Sequence, residues 1–97
     1  MIVKLGIYKD CTSEKPAKVY ECRRLLFGVS KKALALAEKA EGKTYAEQEA
    51  ALVEMLQAIF PEFEAAEMDF VDPVELSEVI SALRGRSTNE VERVEKN

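Results

Sequence analysis

The 97-residue sequence contains no histidine, no tryptophan and only two cysteines. Histidine is the usual general base near neutral pH and the usual activator of a cysteine nucleophile, so its absence removes the commonest catalytic arrangements. Cys11 and Cys22 alone complete neither a tetrahedral zinc site nor the disulfide framework of a small secreted domain. We therefore predict reduced, structural cysteines, no enzymatic activity, no metal and no cofactor.

Long hydrophobic runs are also absent. The longest apolar stretch, Ala33–Ala37, is far shorter than the ~20 residues that span a membrane. The first residues, Met1–Leu5, lack the basic flank and the long apolar segment of a signal peptide. We therefore expect a cytoplasmic protein that does not enter a membrane.

Neither the glycines nor the acidic residues form a recognisable ligand loop. The four glycines are too scattered in the sequence to cradle a phosphate. The acidic residues of segment 62–78 do not match the spacing of an EF-hand loop, which also needs a central glycine. Solvated helix ends and helix caps are the better interpretation of these carboxylates.

Charge is distributed unevenly along the chain, whose net charge is −4. Residues 1–40 contain nine basic and four acidic side chains, a net charge of +5, whereas residues 41–78 contain one basic and eleven acidic side chains, a net charge of −10. Such a dipolar chain can attract a partner protein or a second copy of itself. The alternative is an ordinary solvated acidic face.

A basic patch is the only feature that favours nucleic acid. The basic residues Arg23, Arg24, Lys31 and Lys32 lie close in sequence to the aromatic Tyr20 and Phe27. The sequence pI of about 4.9 argues against this function, because an acidic protein repels phosphate. We therefore predict that the chain binds no nucleic acid.

The N-terminal quarter has the pattern of a β-hairpin. Val3, Leu5 and Ile7 alternate with less apolar residues in a strand predicted at about 2–9. A polar segment containing Pro16 follows, and a second strand is predicted at about 18–25. Because an isolated hairpin is only marginally stable, helices must cover one of its faces.

Apolar periodicity predicts three helices after the hairpin, near 31–41, 45–60 and 73–84. Thr44 and Glu47 have the spacing of a capping box, and Asp72 with Pro73 is a typical helix start. The predicted fold is α+β, with an antiparallel hairpin packed on about three helices in a single domain, 1–85. A flexible charged tail, 86–97, is predicted to follow it.

Three segments resemble the tail assembly chaperones of siphophages and prophages of Gram-positive bacteria. They are Val19–Gly28, Ile59–Phe63 and Met68–Ile80, the last being an acidic segment that enters a capped helix. The resemblance implies a non-enzymatic protein made late in infection in the host cytoplasm and absent from the mature virion. It further implies that the protein binds the tape measure protein, keeps it in solution and recruits tail tube subunits.

Programmed ribosomal frameshifting is a second implication of the resemblance, because the family often has a longer form that shares the N-terminal part. The last residues, Glu95, Lys96 and Asn97, can be encoded GAA-AAA-AAC, which contains a slippery heptamer. Chance gives the same three residues in many charged tails. We treat the slip as a hypothesis that the gene sequence decides.

Five apolar residues are candidates for binding a partner, because methionine and phenylalanine repack readily against varied surfaces. They are Met55, Phe60, Phe63, Met68 and Phe70. Packing in the core is the better interpretation for Met55 and Phe60, and both interpretations stay open for the other three. The alternative function is a small acidic phage-encoded regulatory or inhibitor protein that binds a host protein.

Overall fold

A computed structural model describes residues 2–86, which begin with an antiparallel hairpin. Strands β1 (Val3–Ile7) and β2 (Lys18–Cys22) pair in the register that places Leu5 opposite Tyr20. The alternation in β1 buries Val3, Leu5 and Ile7 on the face that the helices cover. The predicted hairpin is confirmed, although both strands end before their predicted limits.

Three α-helices follow, as predicted: α1 (Phe27–Ala40), α2 (Tyr45–Ile59) and α3 (Pro73–Ser81). A 3-10 helix (Ala65–Phe70) lies between α2 and α3, and a π-helical turn (Ala82–Arg86) continues α3. The structure therefore has the predicted α+β class. Helix α1 begins at Phe27, earlier than predicted, with Leu26 at its N-cap position and both side chains exposed.

Local chemistry explains where α1 ends and where α2 begins. Gly42 has a φ of +78°, the left-handed conformation that glycine adopts at low cost just after a helix. Thr44 Oγ1 accepts the Glu47 N–H at 3.3 Å, and Glu47 Oε1 accepts the Thr44 N–H at 3.1 Å. This reciprocal pair is the predicted capping box.

The core is built around α2 and its C-cap, whose apolar stripe is entirely buried: Leu52, Met55, Leu56, Ile59 and Phe60. Helix α1 packs on α2 through small side chains, since its buried residues are Ala33, Ala37 and Ala40. Helix α3 contacts β1 and contributes Leu76 and Val79. The predicted charged tail lies outside the described residues, apart from Arg86.

Candidate protein-binding surfaces

The five candidate residues occupy different environments. Met55, Phe60 and Phe63 are each at most 2% exposed and lie in the core. Met68 is partly buried against that core, whereas Phe70 is 46% exposed. Of the five, Phe70 therefore presents the largest exposed fraction of its side chain to a partner.

Phe60 and Phe63 in the core pack on Tyr20 of β2, which in turn bonds to the 3-10 helix. The Tyr20 ring centroid lies 5.9 Å from that of Phe60 and 5.8 Å from that of Phe63. The Tyr20 hydroxyl donates a 2.5 Å hydrogen bond to Glu67 Oε1, and Lys18 Nζ lies 3.0 Å from Glu67 Oε2. These contacts fix the 3-10 helix against β2.

Burial and hydrogen bonding shift the pKa values of this cluster. Burial raises the pKa of Tyr20, and its hydrogen bond to the Glu67 carboxylate raises it further. Burial also raises the pKa of Glu67, but hydrogen bonds from Tyr20, the Glu64 N–H and Lys18 outweigh it, so the net pKa of Glu67 is lowered. The ionised Glu67 is thus the form that the fold favours.

A second polar contact joins α3 to β1. Glu75 Oε1 accepts the Gly6 N–H at 2.9 Å, and Glu75 Oε2 accepts the hydroxyl of Tyr8. A β-carbon at Gly6 would lie 3.0 Å from Pro16 Cβ and 3.1 Å from Glu75 Oε1, closer than side chains normally approach. A side chain at position 6 would therefore force these neighbours to move, which favours glycine there.

The chain just before α3 is held at the end of β1 by backbone contacts. The Tyr8 N–H donates to the Phe70 carbonyl at 2.9 Å, and Ile7 and Val71 form an antiparallel bridge. The hydrogen bond to Glu75 raises the pKa of the Tyr8 phenol, with burial and the charges of Glu75 and Asp72 adding to it. These contacts bring Phe70 beside Tyr8.

An open groove of about 660 Å³ lies between the loop that follows β1 and the segment that precedes α3. We call it the acidic groove, and its lining includes the apolar groups of Tyr8, Phe70 and Val71, the thiol Cys11, and the charged residues Lys9, Asp10, Glu14, Asp69 and Asp72. Four carboxylates against one ammonium give it a net charge of −3. It combines an apolar lining with negative charge.

Hydrogen bonds order the loop on one side of the acidic groove. Asp10 Oδ1 accepts the Thr12 hydroxyl at 2.6 Å and the Thr12 N–H at 2.9 Å. These bonds lower the pKa of Asp10, the side-chain bond contributing most, so the carboxylate stays ionised at neutral pH. Asp10 therefore contributes a negative charge to the groove near pH 7.

A second exposed apolar surface lies at the start of α1. Leu26 is 60% exposed and Phe27 is 79% exposed, and Lys31 Nζ lies 5.5 Å from the centroid of the Phe27 ring. Arg23 and Arg24 precede them and are exposed. We call these five residues the basic knob.

The basic knob and the acidic groove lie at opposite ends of the hairpin. The register pairs Val3 with Cys22 at the end next to the knob, and Ile7 with Lys18 at the end next to the groove. Five paired residues separate the two ends, which corresponds to about 17 Å of strand. The hairpin thus has exposed apolar residues beside positive charges at one end and beside negative charges at the other.

The sequence indicated a basic patch that contains Arg23, Arg24, Lys31 and Phe27, but not the groove, the exposure of Leu26 beside that patch or the two polar contacts. A glycine inside a strand was a signal for the contact with Glu75, because such glycines often mark a close approach. Two large apolar residues at a helix start without a capping side chain were a signal for Leu26 and Phe27. The Tyr20–Glu67 contact joins parts of the chain that are distant in sequence, so no local sequence pattern predicts it.

Within residues 2–86, no group of acidic or cysteine side chains is arranged to hold a metal ion. Both cysteines are free, Cys11 being exposed and Cys22 partly buried. No helix in the described part of the chain is long and apolar enough to cross a membrane.

Comparison of the chain with protein-family models, with curated proteins and with solved structures finds no match.

Proposed function

We propose that this chain is a non-enzymatic phage tail assembly chaperone that acts in the host cytoplasm and is absent from the mature virion. It binds the tape measure protein, keeps it in solution and recruits tail tube subunits. Three segments that resemble this family support the proposal. The acidic groove is the observation that carries it, because it offers a protein partner both apolar contact and charge.

The groove suits a particular kind of client segment. A volume of about 660 Å³ falls in the range of about 300–1,000 Å³ that is typical of ligand sites, and large apolar side chains fit such a space. Its negative charge favours clients with lysine or arginine beside the apolar residue and disfavours acidic ones. A tape measure protein exposes apolar helical stripes before the tube encloses them, and covering such a stripe prevents aggregation.

Co-expression with a fragment of the tape measure protein tests the proposal. We expect the fragment to remain in the supernatant as a complex with the wild-type chain and to precipitate when it is expressed alone. Phe70→Ser should reduce the recovered complex several-fold, because it removes apolar contact from the groove. Tyr45→Ser is the matched control, since Tyr45 is exposed at the start of α2 and does not line the groove.

Two outcomes contradict the proposal at different levels. A fragment that precipitates equally with and without the wild-type chain rules out the chaperone activity. If Phe70→Ser and Tyr45→Ser give equal amounts of complex, the chaperone activity stands but the groove is not the binding site.

The net charge of −3 in the groove also suits a cationic surface on a host protein, which is the alternative of a small regulatory or inhibitor protein. Gene position separates the two proposals. A gene between those for the tail tube and the tape measure protein favours the chaperone, whereas a position among early regulatory genes favours the inhibitor.

A further inference from the structure

We propose that the chain self-associates head to tail, with the basic knob of one copy seated in the acidic groove of a second copy. This inference uses only the two surfaces at the ends of the hairpin. It therefore stands or falls independently of the chaperone proposal.

Charge complementarity is the first argument. The knob contains three cations, and the groove has a net charge of −3. Arg23 already lies 3.3 Å from Glu21, whereas Arg24 and Lys31 form no ion pair within residues 2–86. Two cations of the knob are thus available to the carboxylates of a second copy, and opposite potentials speed the encounter and fix its orientation.

The start of α1 is the second argument. Leu26 occupies the N-cap position, where serine, threonine, asparagine and aspartate are preferred, and it makes no capping hydrogen bond. Leu25 and Val29 pack against the core, so Leu26 and Phe27 are not needed there. Residues that break a local rule without a gain inside the fold are typical of functional surfaces.

The apolar lining of the groove is the third argument. Phe27, the most exposed of the large apolar side chains in the described part of the chain, is of a size that the groove accommodates beside Tyr8 and Phe70. Aromatic side chains that enter a pocket rimmed by charge commonly dominate the energy of an interface. Contact between Phe27 and the groove would cover apolar surface on both copies.

Geometry determines the form of the assembly. About 17 Å of strand separates the knob from the groove, so a copy does not fill its own groove. The contact joins two different surfaces, which makes it heterologous, so repeated contacts give a ring if the rotation between copies closes and an open filament if it does not. A client segment in the groove competes with the next copy for the same space.

Analytical ultracentrifugation of pure protein provides the first test. At low salt the weight-average mass should rise with concentration, and added salt should reduce it because exposed charges are screened within about 8 Å at physiological ionic strength. Phe27→Ser and the double variant Glu14→Lys/Asp69→Lys should each remain monomeric. Tyr45→Ser, the control, should associate like the wild type.

Mixing the two defective proteins makes the test specific. The Phe27→Ser chain keeps an intact groove, and the Glu14→Lys/Asp69→Lys chain keeps an intact knob. Their mixture should therefore form a 1:1 dimer that grows no further. A wild-type protein that stays monomeric at high concentration and low salt overturns the proposal, and so does a mixture that forms no dimer.

Cys11 in the groove allows a direct test of the contact. In a Cys22→Ser background, Gly28→Cys keeps the Phe27 side chain, because Gly28 is exposed next to the basic knob. It should form a disulfide between the new thiol at position 28 and Cys11 of a second copy under oxidised glutathione. Such a bond requires α-carbons within about 7 Å. Tyr45→Cys in the same background is the control and should cross-link to Cys11 at least tenfold less. Equal cross-linking of the two variants to Cys11 contradicts the proposal.

Discussion

Helices α1 and α2 pack against each other, yet they begin in opposite ways. Helix α2 begins with a capping box in which the backbone and side chain of Thr44 bond to Glu47, and both bonds lower the pKa of that carboxylate. Helix α1 begins at Leu26 and Phe27 with no side-chain cap and with both side chains exposed. The start of α2 thus has the capping hydrogen bonds that stabilise a helix, whereas the start of α1 lacks a side-chain cap.

The difference separates two classes of residue in this small domain. Residues that join the hairpin to the helices act within the fold, so their substitution should lower the free energy of unfolding. The exposed side chains of the basic knob and at the rim of the acidic groove contribute little to the fold, so their substitution should change association instead.

The largest effect is expected in the core. Leu56 is fully buried in α2, and Leu56→Ala should lower the free energy of unfolding by about 2–5 kcal/mol, because it removes apolar contacts and leaves a cavity. Val74→Ala is the control, since Val74 is exposed on α3, and should change it by less than about 0.5 kcal/mol. Urea denaturation measures both, and similar losses for the two variants would contradict the assignment of the core.

Two glycines distinguish a required position from a permissive one. Gly6→Ala should destabilise the fold by about 1–3 kcal/mol, since the added methyl meets Pro16 and Glu75. A β-carbon at Gly28 meets nothing within 4 Å, and Gly28 lies in α1, so Gly28→Ala should stabilise the fold by about 0.5–1 kcal/mol. Thermal unfolding followed by circular dichroism measures the difference, and an equal effect of both substitutions would refute it.

The two helix starts lead to the next prediction. Thr44→Ala should lower the free energy of unfolding by about 1 kcal/mol, because it removes a cap. Leu26→Ser supplies the cap that α1 lacks and should raise that free energy by about 0.5–1 kcal/mol. It should also weaken self-association, since it removes apolar surface from the basic knob.

Urea denaturation and ultracentrifugation of the same Leu26→Ser sample give both values. A variant that gains stability and associates like the wild type would remove Leu26 from the proposed interface. A variant that loses stability would show that Leu26 supports the fold after all.

Much of the fold could be predicted from the sequence, because local patterns determine it. Alternation in β1, the capping box at Thr44 and the start of α3 at Asp72 and Pro73 all have signals within a few residues. Phe63 is different, because its place in the core depends on Tyr20, which is distant in sequence. Hence the sequence left its role open.

The candidate surfaces could be predicted only in part. Phe70 was among the candidate residues, but its neighbours in the groove come from the loop after β1, and their proximity depends on the pairing of Ile7 with Val71. The charge asymmetry predicted that unlike regions attract each other. It did not predict that apolar side chains lie at the ends of the hairpin. Only the structure shows that Leu26 and Phe27 are exposed, whereas Leu25 packs against the core.

The smallest effect concerns acid pH and separates Glu67, which is bonded to the hairpin, from an exposed carboxylate on α2. Because the folded-state pKa of Glu67 is lowered, its stabilising contribution is present above its ordinary pKa of about 4.5 and is lost as the pH falls through the lowered value. The free energy of unfolding should therefore fall less steeply on acidification in Glu67→Gln than in the wild type. Urea denaturation between pH 7 and pH 3 measures the slope. Glu54→Gln is the control, since Glu54 is exposed on α2. Identical slopes for Glu67→Gln and the wild type would exclude Glu67 from the acid dependence of the fold.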